Sequence, residues 1–163
     1  MESRTKIFGH PVHPMLIVLP LGLFTGAVVF DAVYLWWGFA SLASVGHWNI
    51  VAGIAGGLLA AIAGFLDWLA IPAGTRAKRI GIYHALSNVT ALLVFTAVFW
   101  MRYNSVDLAP TSRLFAIEVV ALAFGAFGGW LGGELVDRLG VGVDNGANVD
   151  APNSMSDKTS RVA

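Results

Sequence analysis

Three of the four histidines in the chain stand beside apolar segments, where an imidazole could bind a metal centre. His10 and His13 occupy a proline-bounded stretch ahead of the first long apolar run, and His84 lies four residues before Asn88 on the same face of a predicted helix. Imidazole is a normal axial ligand of haem iron, and four-helix bundles hold such cofactors between facing helices. The leading hypothesis is therefore a b-type haem with His13 and His84 as axial ligands, in a protein that transfers electrons.

Polar residues at the ends of neighbouring apolar runs extend this candidate site. Asp67 stands near the end of the second run, and Arg76 and Arg79 lie in the connection to the third. Asn88 would hold His84 or a shared ligand, and an arginine would pair with the haem propionates. The hypothesis assigns cofactor binding to His13, His84, Asn88, Asp67, Arg76 and Arg79.

The same region supports a second hypothesis, a metal site without a porphyrin. Mixed imidazole and carboxylate ligands suit zinc or non-haem iron. The candidate metal ligands are His10, His13, His84, Asp67 and Glu134. No closely spaced metal motif such as HExxH occurs in the sequence, so spacing alone does not choose between haem and a metal ion.

Two further interpretations need no cofactor. In a structural or accessory subunit, Asp67 would pair with Arg76 or Arg79, and Glu134 would pair with Arg138. Alternatively, the polar layer would move protons or a small solute. The motifs GxSxG, GxxxxGK[ST] and a strand-bounded GxGxxG are absent from the sequence, so no stand-alone enzyme is indicated.

The composition indicates what surrounds these residues. Only 12% of the 163 residues are charged and 56% are hydrophobic, whereas a soluble domain has about 25% charged residues. Ten basic residues balance ten acidic ones, which argues against a nucleic-acid partner. The chain has no cysteine, which excludes disulfides and thiolate-bound metals. The expected partner is the lipid bilayer.

Four apolar runs are long enough to cross a bilayer, which takes about 20 residues of helix. They cover approximately residues 14–37, 49–71, 80–101 and 114–136. The sequence therefore predicts an all-α, polytopic membrane protein. Its four-helix transmembrane bundle lies within residues 1–139, and a disordered polar tail follows at 140–163.

Basic residues predict the orientation of the bundle. Arg4 and Lys6 precede the first run, and Arg76, Lys78 and Arg79 fill the connection between the second and third runs. The connection between the first two runs carries no charge. Because loops rich in lysine and arginine stay in the cytoplasm, both termini are expected there.

The opposite membrane side carries fewer polar residues. Asp31 and Glu118 are expected to pair with Arg102 or Arg113, and His47 is expected in an uncharged loop at the interface. Glycine stripes run along the second and fourth spans. They predict that these two helices make the closest contact in the bundle or leave room for a flat cofactor.

Four segments appear in a distinctive order: GHPVHPMLIVLPLGLF at 9–24, GFLDWLAIP at 64–72, GTRAKRIGIYHALSN at 74–88 and GGWLGGELVDRLGVGV at 128–143. Together they resemble the DUF2231 family of uncharacterised transmembrane proteins. The resemblance implies a four-helix bacterial protein of unknown function, which we expect in the inner membrane. Some members of that family are joined to a Rieske-type iron–sulfur domain, which suggests a redox assembly as partner. A homo-oligomer is the alternative.

Overall fold

The computed structural model describes residues 1–156, and long helices dominate it. A two-stranded antiparallel hairpin comes first, with Lys6 opposite Pro11 and Ile7 opposite His10. The elements in chain order are β1 (Lys6–Ile7), β2 (His10–Pro11), α1 (Val12–Leu16), α2 (Val18–Trp37), α3 (Ala40–Ala70), α4 (Arg76–Tyr103), a 3₁₀ helix (Val106–Leu108), α5 (Ser112–Gly133) and a π-helical turn (Glu134–Arg138).

Four of these segments are long and apolar enough to cross a bilayer, which confirms the predicted all-α class and the four spans. Their bounds are Val12–Trp37, Ala40–Ala70, Arg76–Tyr103 and Ser112–Arg138. Large apolar side chains such as Leu58, Leu93 and Trp130 are exposed on their outer surfaces. In a bundle without bound partners, such side chains form the face that lipid covers.

The second span begins earlier than predicted. Gly38 adopts a left-handed conformation with φ of 74° and ends α2, and α3 starts two residues later at Ala40. The residues from Gly38 to His47 were expected to form the connection between the first two spans. From Ala40 onward they are helical, and one side of this stretch packs inside the bundle, with Ala43, Gly46 and His47 all buried.

The helices pack as two hairpins, α2 with α3 and α4 with α5. The expected closest contact between the second and fourth spans, α3 and α5, is therefore wrong. Three glycines of α3, Gly46, Gly53 and Gly56, receive side chains from α2 instead: a Cβ atom at Gly53 would lie 2.6 Å from the Phe24 ring. Phe24 stacks on Phe95 of α4, with ring centres 4.0 Å apart, and this pair joins the two hairpins in the core.

Both ends of the bundle domain meet at one end of the molecule. The amino group of Met1 donates to the carbonyl oxygen of Gly140 at 2.6 Å, and the amide of Gly142 donates back to Met1 at 2.8 Å. Residues 140–156 continue in turns that reach the β-hairpin, where Ser154 packs against Gly9. The rest of the predicted tail, 157–163, lies outside the described residues.

Candidate functional site

The structure brings His13 and His84 together at the end of the bundle where the β-hairpin lies. Their ring centres are 6.0 Å apart and the ring planes are nearly perpendicular, at 81°. Each Nδ1 is 2.8 Å from a backbone carbonyl oxygen, that of Ala60 for His13 and that of Gly128 for His84. Because a carbonyl oxygen only accepts, each neutral ring carries its proton on Nδ1 and its lone pair on Nε2.

Glycines make room for both rings. A Cβ atom at Gly64 would lie 2.8 Å from His13, and one at Gly132 would lie 3.2 Å from His84. The space beside these glycines is therefore filled by imidazole rings and other side chains.

Asn88 stabilises the contact between α4 and α5. Its Nδ2 donates to the backbone carbonyl of His84 at 2.8 Å, and its amide packs directly against Gly128. The distance from the same Nδ2 to His84 Nδ1 is 3.5 Å, too long for a strong hydrogen bond. Asn88 thus bonds the backbone carbonyl of His84 and packs against Gly128, whose own carbonyl accepts from the His84 ring.

Replacing Gly128 with alanine should therefore destabilise the bundle. The new methyl group would collide with the Asn88 amide, and overpacking of this kind costs about 1–3 kcal/mol. Gly129→Ala is the matched control, because nothing lies within 4 Å of a Cβ there. Thermal unfolding in detergent, followed by tryptophan fluorescence, should show a lower midpoint for Gly128→Ala alone. Equal midpoints for the two variants would contradict the assigned packing.

Asp67 binds the N-terminal segment and not an arginine. Its carboxylate accepts from the Ser3 hydroxyl at 2.8 Å, from the Arg4 amide at 2.8 Å and from the Thr5 amide at 3.2 Å. The expected ion pair with Arg76 or Arg79 is wrong for the described residues, because these N–H and O–H donors occupy the carboxylate. Asp67 thereby anchors the strand that leads into the hairpin and His13.

Glu134 pairs with Arg76 across the ends of two helices. The distance from Arg76 Nη2 to Glu134 Oε1 is 2.5 Å, so the expected pair of Glu134 with Arg138 is wrong. The pair connects the first turn of α4 to the π-helical turn after α5. Since the Arg76 side chain is 53% exposed, the pair contributes little to stability.

The remaining predicted ligands lie apart from the histidine pair. His10 is exposed, with its Nε2 3.3 Å from the Ser154 hydroxyl, and Arg79 is exposed near the start of α4. Within residues 1–156, no group of three or more histidine, aspartate or glutamate side chains could hold a metal ion. Of the five candidate metal ligands, the structure brings His13 and His84 together.

Two charged contacts near this end were not predicted. Lys78 donates to the Trp68 carbonyl at 2.7 Å and places its ammonium 3.7 Å from the centre of the Trp68 ring, which is a cation–π contact. On the hairpin, Lys6 bonds Glu2 at 2.6 Å, and this hydrogen bond lowers the pKa of the Glu2 carboxyl below its ordinary value. The first contact joins α3 to α4, and the second lies within the N-terminal segment.

At the other end, three charged side chains meet inside the bundle, each fully buried. Arg102 of α4 bonds Asp31 of α2 through two nitrogens, at 2.5 and 3.1 Å, and Glu118 of α5 at 3.3 Å. Its other donors reach the carbonyl oxygens of Leu108, at 3.0 Å, and Ala43, at 2.8 Å. Of the two predicted partners, Arg102 and Arg113, the structure pairs Arg102 with both carboxylates, and we call Asp31, Arg102 and Glu118 the Arg102 cluster.

His47 lies beside this cluster inside α3, so the prediction of an interfacial loop histidine is wrong. It is only 2% exposed, and its ring lies against Phe99 with centres 5.3 Å apart. The sequence does carry a signal for its position, since Ala43, Gly46 and His47 share one face of a helix. That face packs against Asp31 and Arg102.

These features define a class of protein: an integral membrane protein with four apolar helices, a paired histidine site at one end and a buried charge cluster at the other. Residues 9–145 match the family described as "predicted membrane protein (DUF2231)", and the chain belongs to that family. No curated protein and no solved structure matches the chain.

Proposed function

We propose that the chain binds a b-type haem through Nε2 of His13 and Nε2 of His84, and that it transfers electrons within a membrane redox assembly. The observation that carries this proposal is the pair of neighbouring imidazoles, with ring centres 6.0 Å apart, whose Nδ1 atoms are both held by carbonyl oxygens. The bilayer location follows from the four spans and the family.

The ring separation supports shared ligation of one metal. A metal–nitrogen bond to histidine is about 2 Å long, so two imidazoles that bind opposite sides of one ion have ring centres about 6 Å apart. The perpendicular arrangement of the ring planes is compatible with two axial ligands, because each plane need only contain its own metal–nitrogen bond.

The hydrogen bonds at Nδ1 would fix the orientation of both rings in such a site. Ligating histidines usually donate their second N–H to a carbonyl or carboxylate, which fixes the tautomer and makes the ligating nitrogen more basic. Ala60 provides this oxygen for His13 and Gly128 provides it for His84. The two rings therefore already hold the tautomer that iron ligation requires.

His13 lies at the start of the first span, because the five-residue helix α1 continues through Ile17 into α2. Glycines, not bulky side chains, stand behind both rings. Arg79 is exposed at the start of α4, where its guanidinium would pair with a propionate.

We also place the bundle in a bacterial inner membrane with both termini in the cytoplasm. The support is the basic connection before α4, with Arg76, Lys78 and Arg79, against an uncharged connection between α2 and α3. The histidine pair then lies near the cytoplasmic face.

The decisive experiment is an absorption spectrum of the detergent-purified protein after haem supplementation, oxidised and then reduced with dithionite. We expect a Soret band with sharp reduced-state bands typical of two histidine ligands, and its loss in both His13→Ala and His84→Ala. His10→Ala is the matched control, since His10 is exposed and three residues from His13, and it should keep the spectrum.

Two outcomes would overturn the proposal. One is a protein without a Soret band after supplementation. The other is a bound haem whose spectrum survives both histidine substitutions. Elemental analysis of the same samples identifies a lone metal ion: stoichiometric zinc or copper that disappears with either histidine would replace haem with a two-imidazole metal site.

A further inference from the structure

The Arg102 guanidinium in the Arg102 cluster has no free hydrogen-bond donor. All five N–H groups of the guanidinium have an acceptor: two on the Asp31 carboxylate, one on Glu118, and two on the carbonyls of Ala43 and Leu108. Asp31 receives two of these bonds, at 2.5 and 3.1 Å, whereas Glu118 receives one at 3.3 Å. The second oxygen of Glu118, Oε2, is buried without a hydrogen-bond partner among the described residues.

We propose that the Arg102 cluster is an intramembrane proton-exchange site, in which the Glu118 carboxyl takes up and releases one proton through a cleft beside Leu108. The reaction is the dissociation of a carboxylic acid to a carboxylate and a proton, which passes to water in the cleft. This site is separate from the histidine pair, and it does not depend on a bound haem.

The first argument is a charge count. Two ionised carboxylates facing one guanidinium leave one uncompensated negative charge, with all three side chains fully buried. An unpaired buried charge is costly, and groups in such places lose the charge by binding a proton. Asp31 has the bidentate bond to Arg102, so the proton belongs on Glu118, whose Oε2 has no other partner.

A second buried titratable group lies beside the cluster. His47 Nδ1 is also buried without a hydrogen-bond partner among residues 1–156. Its helix face carries Ala43, whose carbonyl accepts from Arg102, and Gly46, whose backbone packs against the Asp31 carboxylate. The groups that face the site are therefore Asp31 from α2, His47 from α3, Arg102 from α4 and Glu118 from α5.

A cleft of about 460 Å³ lies next to the cluster. Ala43 and Leu108 line it, and their carbonyl oxygens are the ones that accept from Arg102. Polar side chains on its walls include Ser41, Ser44 and Asp107. Only one layer of backbone thus separates the cleft from the guanidinium.

Infrared difference spectroscopy of the protein in lipid nanodiscs tests the proton directly. We expect a carbonyl band of a protonated carboxyl near neutral pH, shifted by heavy water and absent from Glu118→Gln. Glu134→Gln is the matched control, because Glu134 pairs with Arg76 at the surface, and it should keep the band. A wild-type protein without the band, or a band that persists in Glu118→Gln, overturns the proposal.

A second measurement remains informative even if Glu118→Gln does not fold. The chain contains no cysteine, so Ser44→Cys can be labelled with a bulky, membrane-impermeant maleimide. Labelling should slow the heavy-water shift of the carboxyl band at least tenfold, whereas labelled Ser112→Cys, exposed and outside the cleft lining, should not change it. An unchanged rate after labelling at Ser44 overturns the proposed route.

Discussion

Replacing Arg102 with methionine is expected to lower the free energy of unfolding by about 3–5 kcal/mol, the usual cost of removing one partner from a buried ion pair. Methionine keeps most of the length of the side chain but none of its five donors. Asp31 and Glu118 would then remain buried without a cation, and the carbonyl oxygens of Ala43 and Leu108 would lose their donor.

Thermal unfolding in detergent, followed by tryptophan fluorescence, measures this loss. Arg113→Met is the matched control, since Arg113 is exposed and lies in the first turn of α5 at the same membrane end. Its unfolding midpoint should match that of the wild type. Adding Asp31→Asn to Arg102→Met should recover part of the stability, because it removes the carboxylate that Arg102 held most closely. If Arg102→Met and Arg113→Met unfold at the same temperature, the cluster does not stabilise the bundle.

Replacing Asp67 with alanine is expected to release the N-terminal segment. The amides of Arg4 and Thr5 donate to this carboxylate, and a hydrogen bond to a charged group contributes about 1.5–3 kcal/mol. Since 1.4 kcal/mol is a factor of ten, hydrogen–deuterium exchange at these two amides should become about 10–100 times faster. Because the same segment leads to His13, the proposed haem binding should weaken as well.

The control for Asp67 is Asp137→Ala, an exposed aspartate in the π-helical turn at the same end. It should leave exchange at Arg4 and Thr5 unchanged. Unchanged exchange in Asp67→Ala would mean that the carboxylate does not hold the segment, and any loss of haem affinity in that variant would then need another cause.

The sequence predicted the spans because their signal is local and large. Twenty consecutive apolar residues have few alternatives to a transmembrane helix. The contact between His13 and His84 could also be predicted from the sequence, because polar groups inside spans turn toward the interior of a bundle. The periodicity did not predict which group packs against each glycine. Glycines indicate a close approach, but not whether the partner is a helix backbone, a phenyl ring or an imidazole.

The ion partners were harder to predict because several donors compete at each helix end. Asp67 had two arginines within a short stretch of sequence, yet it binds backbone amides of the N-terminal segment, which carry no side-chain signal. Arg102 was one of two basic candidates, with Arg113, for the two carboxylates on the opposite membrane side. Its burial, and that of His47, depended on α3 beginning at Ala40, and no proline or charge marks that boundary.

The division into two helix hairpins has a consequence for biogenesis. Asp31 and His13 belong to the first hairpin, whereas Arg102, Glu118 and His84 belong to the second. When the first hairpin enters the membrane, its aspartate has no cation and its histidine has no partner ring. Both polar sites are completed only after the second hairpin has been synthesised and has docked. A chain stalled after α3 would therefore hold the Asp31 carboxylate without its cation, Arg102.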